Sequence, residues 1–300
     1  MTHRKTPMAG RLDLPSFEAP AMSLSWSEDE IVMSCGEAVP VRVLRRPGAA
    51  RTAPLVLHLH GGTFITGTLD AGRNVAGLLA HAGATVVSVD YPLASEKPFP
   101  YPLEIAYAAL EAVHRQRAKW SGKRALLLVA GEEAGGNLAA GVALMARDQK
   151  APPLAGQILI SPMLDPALAT CSIRDAEAGP VGCKWADGWQ KYLGSADKAA
   201  HPYAAPASAT RLAGLAPALV VTAADDPMRD ESVRYAEKLR QAQVGVHLEV
   251  FDAPTGWPAS LSEAEARQAA WADRLRILFA TFFAELRAAI RPGLPAPVFI

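Results

Sequence analysis

Cysteine, net charge and long apolar runs are all scarce in this chain of 300 residues. The 3 cysteines, Cys35, Cys171 and Cys183, are odd in number and show no CxxC spacing. That argues against a disulfide framework and a thiolate zinc site, and points to a reducing, cytoplasmic setting. The 30 Lys and Arg residues balance the 30 Asp and Glu residues, so charge gives no reason to expect nucleic acid or an anionic membrane as partner. The opening MTHRKTPMAGRLDLP has charges without an apolar run behind them, unlike a secretory signal. The longest apolar stretches, Ala125–Ala130 and Ala216–Ala224, are far too short to span a bilayer. There is no internal repeat and no low-complexity tract. His58 and His60 alternate along one apparent strand and so face the same way, but no nearby carboxylate or cysteine completes a metal set. No metal and no cofactor is expected.

What is present is a rhythm of short apolar runs and helix-sized segments. Pro54–His60, Ala84–Val89, Ala125–Ala130, Gly156–Ile160, Ala218–Ala223 and Val246–Phe251 read as strands buried on both faces of a parallel sheet. Asp70–His81, Pro102–Gln116, Gly136–Asp148 and Ser232–Gln241 read as the intervening helices. Such alternation predicts an α/β sheet with helices on both faces. Two weaker strand candidates, Ser23–Met33 and Val39–Leu44, suit an antiparallel edge. Ser260 and Glu263, at capping-box spacing, open a long helix from Glu263 to about Ile290, closed by Pro292-Gly293. Residues 165–216 break the rhythm with Gly, Pro and Trp and hold one helical piece near Trp185–Leu193. They read as a lid inserted into a single domain covering 1–300, because they are too short to bury a core of their own.

Three loops carry candidate chemistry. His60-Gly61-Gly62-Thr63-Phe64 follows a strand, and its glycines can aim backbone N–H groups at a ligand's developing oxyanion. A plain glycine turn would read the same. Gly131-Glu132-Glu133-Ala134-Gly135-Gly136-Asn137 is a strand–tight turn–helix segment with small residues around its tip, the setting of a nucleophile elbow. Asp225-Asp226-Pro227 follows another strand, where an open α/β sheet builds its site, although an aspartate there also serves as a helix cap.

Together these loops resemble the hormone-sensitive-lipase-like carboxylesterases. The likeness runs from about Pro54 to Trp257 and includes Asp90-Tyr91-Pro92-Leu93-Ala94-Ser95-Glu96-Lys97-Pro98-Phe99-Pro100, Ser161-Pro162-Met163-Leu164-Asp165 and Tyr192-Leu193-Gly194. It implies an α/β-hydrolase fold, with a mostly parallel central sheet, helices on both faces and a small helical lid drawn from about 1–22 and 165–216. It implies that Gly61, Gly62 and the Ala134 N–H form an oxyanion hole, with Asp226 as the triad acid. A homodimer through the last strand and its neighbouring helix is also implied.

The departures matter most. Glu133 stands where the family has its serine, and Thr255-Gly256-Trp257 stands where it has His-Gly-Phe, with no histidine after His247. Thr63 replaces the third glycine of the first motif. A serine esterase needs a hydroxyl nucleophile and a histidine base. A carboxylate attacking an ester would form an anhydride, and Thr255 is no base for resolving it at neutral pH.

Three readings stay open on the sequence. The chain binds a small acyl or aromatic ligand without turnover; or Glu133 performs acid–base chemistry as in a lyase, isomerase or cyclase; or a residual carboxylesterase works through another serine, such as Ser95 or Ser161. Glu133 either takes the oxyanion donors for itself or lies close enough to Asp226 to share a proton. Trp26, Phe64, Trp185, Trp189 and Trp257 are candidates for an aromatic pocket wall.

Overall fold

The computed structural model describes residues 23–34, 36–177, 182–263 and 265–289. The expected lid contribution of 1–22 and the reading of Cys35 lie outside these residues, as does the Cys183 side chain. Valine-rich and leucine-rich segments form the strands because their side chains are buried on both faces: β3 (Leu55–Leu59), β4 (Thr85–Val89), β5 (Leu127–Glu132), β6 (Gly156–Ile160) and β7 (Ala218–Ala223) have no exposed residue. With β1 (Ser25–Val32), β2 (Ala38–Arg45) and β8 (Val246–Phe251) they make one eight-stranded sheet, ordered β1-β2-β4-β3-β5-β6-β7-β8. β1 and β2 pair antiparallel, and β2 joins β4 antiparallel. Every pairing from β4 to β8 is parallel. The weak strand candidates of the lead-in thus form the antiparallel edge.

The alternation along each strand feeds two apolar layers. Leu55, Leu57 and Leu59 pack with α2 (Tyr101–Trp120), α3 (Ala134–Gln149) and α6 (Arg229–Gln241) on one face. Val56 packs with α1 (Arg73–His81) and α7 (Ala270–Ala289) on the other. The long C-terminal helix therefore begins later than the capping-box spacing suggests. Ser260 Oγ donates to the Thr255 carbonyl at 2.6 Å instead of capping, and 3-10 turns occupy Ala259–Ser262 and Ala266–Gln268. Segment 165–216 carries α4 (Cys171–Glu177), α5 (Gly182–Leu193) and two 3-10 turns. Among the described residues no helix is long and apolar enough to cross a membrane.

Two glycines let β5, α3 and β3 meet closely enough to form the site. A Cβ on Gly135 would stand 2.0 Å from the Leu59 carbonyl oxygen, and one on Gly131 would stand 2.2 Å from the Gly135 carbonyl oxygen. Backbone cannot retreat from such contacts as a side chain can. Gly135→Ala is expected to lower stability by about 1–3 kcal/mol, read as an earlier urea midpoint at unchanged slope.

Candidate functional site

The strand β5 ends and α3 begins at Ala134, so one residue must turn the chain between them. That residue is Glu133, at φ 51° and ψ −116°, a conformation that a side chain adopts only under strain. Its N–H donates to the Ile160 carbonyl at 3.0 Å, and its own carbonyl accepts from Met163 N at 3.0 Å. The turn is thereby fixed from the neighbouring strand.

The Glu133 side chain is nearly buried, 7 % exposed, and bends back over the glycine loop. Its Oε2 accepts the Gly62 N–H at 2.8 Å, and its Oε1 accepts Trp185 Nε1–H of α5 at 3.1 Å. Of the two placements open on the sequence, Glu133 takes a backbone donor of the glycine loop. Asp226 has other partners. It accepts from Ser161 Oγ at 2.9 Å, from Thr222 Oγ1 at 2.6 Å and from the Met228 N–H at 2.9 Å, and is fully enclosed.

It is the adjacent Asp225 that meets Thr255. Thr255 Oγ1 donates to Asp225 Oδ1 at 2.7 Å, and the Thr255 and Gly256 N–H groups donate to Oδ2 at 2.7 and 2.9 Å. The turn after β7 explains the exchange. Asp226 points inward and accepts the N–H of Met228, the residue before α6, which leaves Asp225 directed at the 255–257 loop. Burial pushes the Asp225 carboxyl up, but the Gly256 and Thr255 donors outweigh it and hold the group below the usual carboxylate range.

A second residue that sequence reading passed over is Glu132, the last residue of β5. Its Oε2 lies 2.8 Å from His58 Nε2, and its Oε1 accepts the Gly61 N–H at 3.2 Å. His58 Nδ1 in turn lies 2.8 Å from Ser88 Oγ. Contrary to the sequence expectation, a carboxylate does stand beside the His58–His60 pair, because β5 is paired beside β3 and brings Glu132 in from the next strand. The signal was available as an acid at the end of an otherwise apolar strand. Among the described residues no group of three or more His, Cys, Asp or Glu side chains is arranged to hold a metal ion. His60 stacks on Tyr91 with ring centroids 4.3 Å apart, and Tyr91 Oη donates to the His60 carbonyl at 2.7 Å. These contacts fix the entry to the glycine loop.

Gly61, Gly62, Thr63, Glu132 and Glu133 line one cavity of about 430 Å³, with Lys184 of α5 at its wall. Thr63 and Phe64 hold positive φ values of 52° and 68°, so the loop carries strain of its own. Ala134 is fully buried as the first residue of α3. Thr255 lines a neighbouring cavity of about 570 Å³. Of the aromatic candidates, Trp185 alone reaches Glu133. Phe64 is buried against Tyr192, at a centroid distance of 4.0 Å, and against Trp189. Trp257 packs between Phe251 and Trp271, and Trp26 lies exposed at the sheet edge. Trp189 also lines a separate cavity of about 810 Å³ in segment 165–208, whereas Phe64 and Trp257 went to the cores within reach, and pattern alone does not distinguish a core from a cavity wall.

Asp226 leaves a trace in stability. Burial pushes its carboxyl from an ordinary 3.8 up to about 6, against the pull of its three donors. The unfolded chain releases this proton near its ordinary value, whereas the folded chain keeps it until about 6. Stability therefore falls as pH rises between roughly 4 and 6, by about 2–3 kcal/mol for this group, and is level above. Glu231, also buried and raised by burial, adds a slope of the same sign. Asp226→Asn is expected to remove the first share only, measured by urea unfolding at several pH values.

Known proteins place this fold. The α/β-hydrolase-fold family profile matches residues 56–255. Carboxylesterase NlhH of Mycobacterium tuberculosis is 38% identical over 232 residues, covering 72% of this chain and 69% of the relative. Among solved structures, a bacterial heroin esterase superposes with a TM-score of 0.77 at 32% identity, covering 92% of this chain and 86% of that one. Esterase LipW of Mycobacterium marinum superposes with a TM-score of 0.75 at 34% identity, covering 91% and 84%. The chain belongs to the α/β-hydrolase-fold family, among its hormone-sensitive-lipase-like carboxylesterases.

Proposed function

We propose that this chain recognises small carboxylic esters or the acids they release, and that any ester hydrolysis it performs is residual and does not use an elbow serine. One observation carries the reading: the Gly62 N–H, the donor expected to hold an ester's developing oxyanion, is taken by Glu133 Oε2 at 2.8 Å. Removing an oxyanion donor from a serine enzyme costs about 10²–10³ in rate, and here nucleophile and base change as well. The relatives are carboxylesterases, which favours residual hydrolysis over a complete change of chemistry. Of the two serines named from sequence, Ser161 is fully buried with its Oγ donating to the enclosed Asp226, and Ser95 lies exposed on a loop; neither lines the cavity at Glu133.

A second reading rests on the same carboxylate. With Gly61 and Gly62 N–H groups engaged by Glu132 and Glu133, a ligand entering the cavity meets acceptor oxygens. Binding without turnover, or proton transfer at Glu133 as in a lyase, isomerase or cyclase, uses such a floor. Cysteine usage supports a cytoplasmic setting, and the edge position of β8 leaves room for a homodimer.

Hydrolysis of p-nitrophenyl acetate together with fluorophosphonate labelling separates these readings. Slow turnover without a labelled serine is the expected result. Rapid turnover with a stoichiometrically labelled serine would sink the proposal. Saturable ester binding with no turnover, together with loss of activity on another substrate in Glu133→Gln, would establish the second reading.

A further inference from the structure

At the antiparallel edge of the sheet a second groove, of about 630 Å³, lies between β1, β2, α1 and the turn at Ala266–Gln268. Its charged lining is lopsided: Arg42, Arg73 and Arg267 face it, and Asp70 is the one acid among the lining residues. Arg42 is spent on its neighbours, 2.8 Å from Glu28 and 2.6 Å from Asp70, with its side chain only 13% exposed. Arg73 and Arg267 are exposed, and among the described residues neither has a carboxylate within salt-bridge distance. His81, which also lines the groove, is held below the usual histidine range by burial and then by Arg267, Arg276 and Arg46.

Besides Ser23, His81 and the Trp26 indole, the rest of the lining carries no polar side chain. Leu24 and Leu44 form part of the wall, and Gly77 keeps α1 smooth there. Trp26 stands at the groove 62% exposed, an unusual position for so large an apolar ring. One of its faces meets the Arg42 guanidinium, 5.1 Å from the ring centroid. Exposed guanidinium groups beside an exposed indole match a ligand that is anionic at one end and planar at the other. The volume is that of a small-molecule site.

We propose that this groove binds an organic phosphate attached to a flat aromatic ring, the phosphate held by Arg73 and Arg267 and the ring lying against Trp26. A phosphate suits the site better than a carboxylate. It carries up to two charges and offers enough oxygens for two guanidinium forks at once. The groove shares no lining residue with the cavity at Glu133, so binding there is separate from the chemistry at Glu133.

Calorimetric titration of the full chain at low salt tests this with adenosine monophosphate, adenosine, inorganic phosphate and benzoate. Adenosine monophosphate is expected to bind at least roughly tenfold more tightly than adenosine or benzoate. Arg73→Glu and Arg267→Glu should each weaken it by roughly tenfold or more. Trp26→Ala should weaken adenosine monophosphate and leave inorganic phosphate unchanged. All three residues are exposed, and unfolding curves of the variants check that the fold persists. The proposal is overturned if the wild-type chain gives no saturable binding of adenosine monophosphate. It is equally overturned if both Arg→Glu variants bind like wild type, or if benzoate binds as tightly as adenosine monophosphate.

Discussion

Glu133→Ser combined with Thr255→His is expected to hydrolyse p-nitrophenyl acetate about a hundred to ten thousand times faster than Glu133→Ser alone, the range a positioned general base contributes. Serine at the tip inherits the turn that Glu133 now occupies, since that turn is fixed by backbone bonds to Ile160 and Met163. Removing the glutamate also releases the Gly62 N–H for a substrate oxyanion. An imidazole at position 255 would meet the Asp225 carboxyl, which now takes the Thr255 hydroxyl at 2.7 Å. Asp225 lies below the usual carboxylate range, so it is an anion at neutral pH and can orient a histidine and stabilise its charged form. Thr255→His alone should gain nothing, because no hydroxyl stands at the tip. The measurements are kcat/KM and fluorophosphonate labelling at residue 133. Adding Asp225→Asn should cut the rate of the double variant by an order of magnitude or more, whereas the same loss from Asp226→Asn alone would return the orienting role to Asp226. A double variant no faster than Glu133→Ser would show that position 255 does not address the elbow.

That experiment depends on a distinction the sequence does not carry. Asp225 and Asp226 are adjacent and chemically identical, and either suits the end of a parallel strand. Which one faces the 255–257 loop is set by backbone direction after β7, and that direction follows from Asp226 accepting from Met228, Ser161 and Thr222. These partners are 65 and 4 residues away in one case each and 2 in the other, so local pattern reveals only part of the set.

The sheet was legible for the opposite reason. Strands buried on both faces must be apolar throughout, so Leu55–Leu59 and Ala218–Ala223 announce themselves. The elbow was legible from small residues, because Gly131 and Gly135 answer to backbone contacts that any side chain would break. Glu133 was legible as an exception to that setting, but not where its carboxyl would go, since Gly62 and Trp185 arrive from distant segments. The C-terminal helix starts at Ala270 and not near Glu263 because Ser260 finds a carbonyl partner at Thr255 in place of a helix start. Glu132 went unread because a charged residue next to a turn is ordinarily solvated. Its meaning depends on His58, 74 residues away.

His58→Ala should lower stability by about 3–5 kcal/mol, a large part of the roughly 5–15 kcal/mol that holds such a domain together. His58 is fully enclosed and Glu132 is 4% exposed. Truncating the imidazole takes the partner from Glu132 Oε2 and from Ser88 Oγ together, and leaves a buried carboxyl facing a void. The damage should also reach the site, because the other oxygen of Glu132 holds the Gly61 N–H. Equilibrium unfolding in urea gives the stability change, and amide hydrogen exchange at Gly61 and Gly62 gives the loosening of the loop. Replacing both members by apolar residues, His58→Leu with Glu132→Met, should recover part of the loss, since an empty pair is less costly than a broken one. It should not restore protection at Gly61, whose acceptor is then absent. A His58→Ala variant as stable as wild type would mean that water replaces the imidazole without penalty, and Glu132 would then owe its position to Gly61 alone.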